Sequence, residues 1–216
     1  MVLQRIAEEG RRLRHIIDDL LWLARIDDER TAVADFAEAD VARIAGASVS
    51  RFQSVASARS VTIRLDSAGG EPALVHADPA WIDRLVGVLV DNACKFAGAG
   101  GQVDVAVLCE GTRVVLRVDD SGPGIPMAQR PLVLDRFHGG THPTGGTGLG
   151  LAIADSVVRA THGAWEIGEA PSGGARMEVS WRKEAPSRPS EADPDRDEEV
   201  VADAGLSKTP GDAAPP

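Results

Sequence analysis

The chain has 216 residues, 43% of them hydrophobic and 26% charged, and a formal net charge of −10, which suits a soluble globular protein with one main domain and a buried core. It contains no apolar run of about 18 residues and opens on no basic segment followed by a short apolar one, so neither a membrane span nor a secretory leader is encoded, and the expected location is the cytosol, or the membrane only through a partner. No basic stripe with interleaved aromatics is present to replace counterions, which argues against a nucleic-acid partner.

The first predicted element is a long helix over residues 1–30. Leu3, Ile6, Leu13, Ile16, Ile17, Leu20, Leu21, Leu23 and Ala24 recur mostly at steps of three and four, forming an apolar stripe that needs a partner. Gly10 interrupts it at a cost of roughly 1 kcal/mol relative to alanine, so packing has to hold the helix. Burial against its own domain and burial in a bundle with other chains are both open, and the expectation here is the bundle.

Between 38 and 183 helices alternate with short strands. The patterns predict helices near 40–59, 78–97 and 149–162, and strands near 61–66, 73–76, 102–109, 112–119, 164–169 and 175–182. VDVAVLCEGTRVVLRVDD reads as a hairpin turning at Glu110-Gly111, and AWEIGEAPSGGARMEVSW as a second turning at Pro171 to Gly174. Antiparallel pairs with helices gathered elsewhere predict an α+β fold, a two-layer sandwich with helices on one face of a mixed sheet. Cys94 and Cys109 lack the spacing of a metal site or a disulfide framework and read as reduced packing residues.

Three segments carry chemistry. In WIDRLVGVLVDNACKFAG, Asn92 and Lys95 stand three residues apart on a helix and can reach one ligand, the amide oxygen toward a cation and the ammonium toward phosphate, although a solvated helix face also accounts for them. VDDSGPGIP leaves a strand on an acid and turns at once through Gly122, Pro123 and Gly124. GGTGLGLAIADSVVRA sets glycines directly before a helix. It lacks the lysine of a Walker A loop and the spacing of a Rossmann turn. What remains is backbone that can approach an anion closely at the positive end of a helix, or else a flexible linker.

Residues 184–216 hold nine acids, three bases, six prolines and no aromatic residue, so most of the chain's net negative charge lies there. Such a segment buries too little apolar surface to offset its ordering entropy, and a disordered acidic tail is expected.

Taken together, LVDNACKF, DDSGPGIP, DRF and GGTGLGLAI, in that order, resemble the N box, first glycine box, F box and second glycine box of the ATP-binding domain of sensor histidine kinases, within the wider gyrase, chaperone, kinase and mismatch-repair ATPases. The resemblance runs from about residue 40 to residue 183 and implies the two-layer Bergerat-type fold. LRHIIDDLLWLARID also resembles the second helix of the kinase dimerisation hairpin. The resemblance implies ATP and Mg2+ as cofactors. Asp120 would accept the adenine amino group, with Gly122, Gly124 and Ile125 beside it; Asn92 would coordinate Mg2+, and Lys95 would meet phosphate with Phe96 next to it. Residues 125–147 would form a mobile lid packed down by Phe137, and Gly146, Thr147, Gly148, Leu149 and Gly150 would wrap the phosphates.

The chain also departs from that family. Val88 stands where an Asn or an acid usually begins the N box, which implies little intrinsic ATP hydrolysis; Ala175 replaces a frequent threonine near the adenine; the lid, HGGTHPTGG, is short, and its His138 and His142 read as solvent-exposed. No histidine followed by an acid precedes the helix, and His15, followed by Ile16 and Ile17, reads as a packing residue. The expected acceptor therefore lies on a partner protein or a missing segment, with a response regulator downstream and a homo- or hetero-oligomer built through residues 1–30. Two functions stay open: the ATP-binding catalytic part of a two-component histidine kinase, and a nucleotide-binding regulatory or dimerisation module with little transfer.

Overall fold

The computed structural model describes residues 10, 13, 14, 16–24, 26, 37–67, 71–138 and 147–184. The expectations for His15, His142, Gly146 and nearly all of the acidic tail lie outside them.

Helix α1 covers residues 16–24. After it come β1 (Glu38–Asp40), α2 (Val41–Ala58), β2 (Thr62–Ser67), β3 (Leu74–His76), α3 (Pro79–Ala97), β4 (Gln102–Glu110), β5 (Arg113–Asp120), a 3-10 turn (Met127–Gln129), α4 (Gly150–Ala160), β6 (Ala164–Glu169) and β7 (Ala175–Arg182). Local chemistry sets the helix ends. Asp40 accepts from Ala42 N (3.1 Å) and Arg43 N (3.3 Å) to start α2. Asp78 accepts from Ala80 N (2.7 Å) with Pro79 at the first position of α3, where the missing N–H costs nothing.

β2, β4, β5, β7 and β6 lie in that order in one mixed sheet, with only β2 and β4 parallel. β1 and β3 form a separate antiparallel pair. β1 escapes the sequence pattern because Glu-Ala-Asp carries no alternation of its own; Ala39, fully buried, is its one core contact. The first hairpin pairs Glu110 with Arg113, so its turn residues are Gly111 and Thr112, one position beyond the expected Glu110-Gly111.

Register sorts the sheet into two faces. Val103, Val105 and Val107 line up with Val118 and Leu116 and with Met177, Val179 and Trp181, and these join Leu85, Leu89, Val90, Ala154 and Val157 of the helices in one core. The opposite face is polar, with Arg117 on Glu178 (2.8 Å) and Arg176 on Asp119 (2.6 Å). Fold class and layer arrangement are as expected.

The first helix departs from expectation. Its apolar residues form two stripes, not one. Ile16, Trp22, Leu23 and Ile26 turn inward, with Leu23 packed against Leu149 and Ile153 and Ile26 in the main core. Leu13, Ile17, Leu20 and Leu21, on the far side at 3.6 residues per turn, are about half exposed. Part of the stripe assigned to a bundle thus docks on the chain's own domain.

Asp40 Oδ1 also receives Ala73 N (3.4 Å), joining the start of α2 to the segment before β3. Asp40→Ala should lower the unfolding free energy by about 1 kcal/mol, read as a shift in urea midpoint at unchanged slope.

Candidate functional site

β5 ends on Asp120, whose side chain is 6% exposed on the helix side of the sheet. Its Oδ1 accepts from Gly122 N at 2.7 Å and from Ala175 N at 3.3 Å. Burial pushes this carboxyl above its ordinary range; the two N–H groups pull it back in part, and the neighbouring Asp119 charge adds to the rise. The surrounding backbone is pressed close. A Cβ on Gly122 would meet the Phe96 carbonyl oxygen at 2.5 Å, and one on Gly174 would meet the Asp120 carbonyl oxygen at 2.0 Å, so neither position admits a side chain without backbone movement. Ser172 donates its hydroxyl to that same carbonyl at 2.8 Å.

Helix α3 passes two of the glycine segments. The Phe96 carbonyl meets the turn at Gly122, and two turns earlier Val88 Cγ1 lies 3.4 Å from where a Gly150 Cβ would sit. Asn92 stands one turn from each, on the same helix face. It is partly exposed, and no hydrogen bond fixes its amide among the described residues. Lys95 is committed elsewhere: its ammonium pairs with Asp91 at 2.5 Å, and Asp91 also takes Arg59 at 3.3 Å. The lysine expected at phosphate is therefore held along its own helix, as an (i, i+4) pair.

In the second glycine segment Gly148 accepts Phe137 N at 2.8 Å, with both residues at positive φ. Phe137 is 64% exposed, so it fastens the segment through its backbone, and the expected packing of the ring is not seen. Leu149 is fully buried against Leu23 and Ile153, which leaves only its backbone to face a ligand, while Gly150 opens α4. Ile125 packs partly on the core, and its carbonyl receives Arg130 Nε at 3.1 Å. His138 is exposed, as expected.

The structure brings together Asp120, Gly122, the end of α3 at Phe96, and the Ser172–Ala175 turn. It brings Val88 to Gly150. Ser172 and Gly174 belong to this surround with no sequence motif beyond their place in a hairpin loop, and Ala175, which the family resemblance sets near the adenine, enters it through its backbone N–H. Open cavities of about 240 and 140 Å³ lie elsewhere, one between residues 134–136 and α4, the other beside Asp40 and Cys109. Neither includes Asp120 or a box glycine. Among the described residues no three His, Cys, Asp or Glu side chains cluster for a metal. No helix among them is long and apolar enough to cross a membrane.

Residues 77–185 match the family model for histidine kinase-, DNA gyrase B- and HSP90-like ATPases. The chain is 34% identical over 78% of its length to the probable sensor histidine kinase TcrY of Mycobacterium tuberculosis, and 31% identical over 79% to the sensor histidine kinase TmoS of Ectopseudomonas mendocina. It spans 35% and 18% of those relatives. Among solved structures it resembles the mycobacterial sensor histidine kinase MprB (27% identity, TM-score 0.60, 69% of this chain and 98% of that one). It shares its fold with full-length ShkA solved in complex with AMPPNP (24% identity, TM-score 0.70, 85% and 39%).

A carboxyl whose folded pKa lies above the unfolded value of 3.8 binds its proton more tightly when folded, so its contribution to stability falls as pH rises from 3.8 through the folded pKa. Asp120→Asn keeps the acceptor oxygen and removes the buried charge. It should be more stable than wild type at pH 7, with the difference shrinking as pH falls toward 3.8; urea melts across that range test this.

Proposed function

The chain belongs to the histidine kinase-, DNA gyrase B- and HSP90-like ATPase family, and we propose that it is the ATP-binding catalytic part of a two-component histidine kinase. In this reading it transfers the γ-phosphoryl group to a histidine outside residues 1–216, on a partner protein or another segment, and a response regulator takes the phosphate onward. The observation that carries the reading is the buried Asp120 carboxylate at a strand end, braced by Gly122 and Ala175, with glycine backbone pressed around it. A carboxylate held so can accept from the exocyclic amine of a purine, and its fixed backbone bonds leave Oδ2 for that task.

Domain limits follow: residues 38–183 bind nucleotide, residues 1–30 pack on partners, and residues 184–216 form an acidic tail. Gly146, Thr147, Gly148, Leu149 and Gly150 line the phosphates at the start of α4 through backbone N–H groups, that of Leu149 only by leaving Thr147 Oγ1. Asn92 suits a magnesium ion, since its amide oxygen is unengaged among the described residues and such an ion takes one or two protein oxygens beside phosphate and water. The ion, when bound, neutralises charge on the transferring phosphoryl group; Asn92 orients it, and the glycine loops exclude water and position the triphosphate. Lys95 reaches phosphate only by leaving Asp91. The exposed stripe of Leu13, Ile17, Leu20 and Leu21 supports oligomer formation through residues 1–30.

Val88 favours a second reading, a regulatory nucleotide-binding module with little transfer. It packs beside the core and against Gly150 where an amide or carboxylate could otherwise orient the attacking group. Labelled ATP separates the two when the protein is mixed with a candidate histidine-bearing partner. Acid-labile label on the partner, lost with Asn92→Ala and Asp120→Ala, is the expected result. ATP binding without transfer would leave the regulatory module.

A further inference from the structure

Asp19 is 8% exposed, and a carboxylate that deep needs partners. It has two, from different parts of the chain. One oxygen pairs with the Arg84 guanidinium of α3, and the other accepts the Thr147 hydroxyl at 3.3 Å. Thr147 Oγ1 in turn accepts Leu149 N at 3.2 Å, so this hydroxyl ties α1 to the turn that opens α4. Apolar contacts reinforce the same junction: Leu23 lies on Leu149 and Ile153, and Trp22 sits between Trp81 (6.4 Å, edge to face) and Arg84 (5.9 Å).

We propose that Asp19 is a positioning residue for the second glycine loop, taking up the Thr147 hydroxyl whenever α1 is docked, so that docking of α1 and binding of a triphosphate at that loop oppose each other. The inference rests on the nucleotide reading above. A hydroxyl has one proton to donate. Given to Asp19, it is withheld from a phosphate oxygen. The docked helix also sets a carboxylate beside a loop that would receive several negative charges, a like-charge juxtaposition in partly buried surroundings. In the same contact it engages Arg84, which lies on one α3 stripe with Val88 and Asn92. Docking thus removes a donor and occupies a cation at the triphosphate end, and leaves Asp120 and its surround untouched. The coupling is reciprocal: whatever α1 does to triphosphate affinity, triphosphate does to α1.

Because adenosine uses the base end and not the phosphate loop, it separates this role from a structural one. Calorimetry of the full chain with ATP plus Mg2+, and with adenosine, should show Asp19→Ala binding ATP roughly five- to tenfold more tightly at unchanged adenosine affinity, the low end of site-to-site coupling. Asp19→Asn, which keeps the side chain's size, should move ATP affinity in the same direction. Hydrogen exchange over residues 16–24 should quicken with ATP and not with adenosine. ATP affinity that is unchanged or weakened in both variants, or exchange over 16–24 that ATP slows or leaves alone, overturns the inference while adenosine binding keeps the nucleotide site standing. Failure of wild type and variants to bind either compound overturns the nucleotide site and this inference with it.

Discussion

A carboxylate with 6% of its surface exposed must find compensation close by, and Asp120 finds it in N–H groups that arrive from opposite ends of a 53-residue excursion, at Gly122 and at Ala175. Much of the local architecture follows from that pair of bonds. The chain has to turn within two residues of β5, and β7 has to start where its first N–H meets the same oxygen. The space left is so small that Gly122 sits against the end of α3 and Gly174 against Asp120 itself. Strand alternation then places Asp119 on the other face, where Arg176 holds it with two bonds, at 2.8 and 2.6 Å. Two adjacent acids are thereby kept apart, one paired at the outer surface and one buried unpaired, which is the arrangement that makes the inner one chemically distinctive.

Much of this was legible in the sequence because it rests on short-range rules. Alternating apolar residues in 103–118 define β4 and β5, Asp40 and Asp78-Pro79 mark helix starts, and the acid at the end of a strand followed by Gly122-Pro123-Gly124 marks the turn. What stayed hidden depends on where elements meet. Glu38–Asp40 becomes a strand only because β3 offers an antiparallel partner. Lys95 carries an ammonium at the expected position, yet Asp91, one turn back, takes it; an (i, i+4) pair of that kind is visible in sequence but does not declare whether it outcompetes a ligand. Phe137 was expected to bury its ring, and a left-handed backbone turns it outward while its N–H does the fastening. Ala175 contributes through a backbone N–H, which leaves no trace in residue type, and Ser172 through a hydroxyl whose acceptor, the Asp120 carbonyl, lies 52 residues away in sequence.

The first helix shows the same limit in another form. Periodicity counts apolar positions and cannot tell one broad stripe from two opposed ones. Here Leu13, Ile17, Leu20 and Leu21 look outward while Leu23 and Ile26 look inward, and the inward face carries an acid, Asp19, that a purely apolar interface would exclude. A helix with two such faces can serve a partner and its own domain at once, and it can report on a ligand provided the inner contact is weak enough to give way.

Magnitudes bear on that condition. The inner face of 16–24 rests on Leu23 with Leu149 and Ile153, flanked by Ile16 and Trp22. Full burial of one such side chain contributes about 2 kcal/mol, so a handful of them gives a gross gain of several kcal/mol. Against that stand the conformational entropy lost in ordering the helix and the desolvation of Asp19 and Arg84, which an ion pair this close to the surface recovers only in part. The net hold is small beside the roughly 8 kcal/mol that a micromolar ligand brings. A contact balanced in this way can be displaced by a ligand that competes for its polar centre, and Thr147 is where that competition falls.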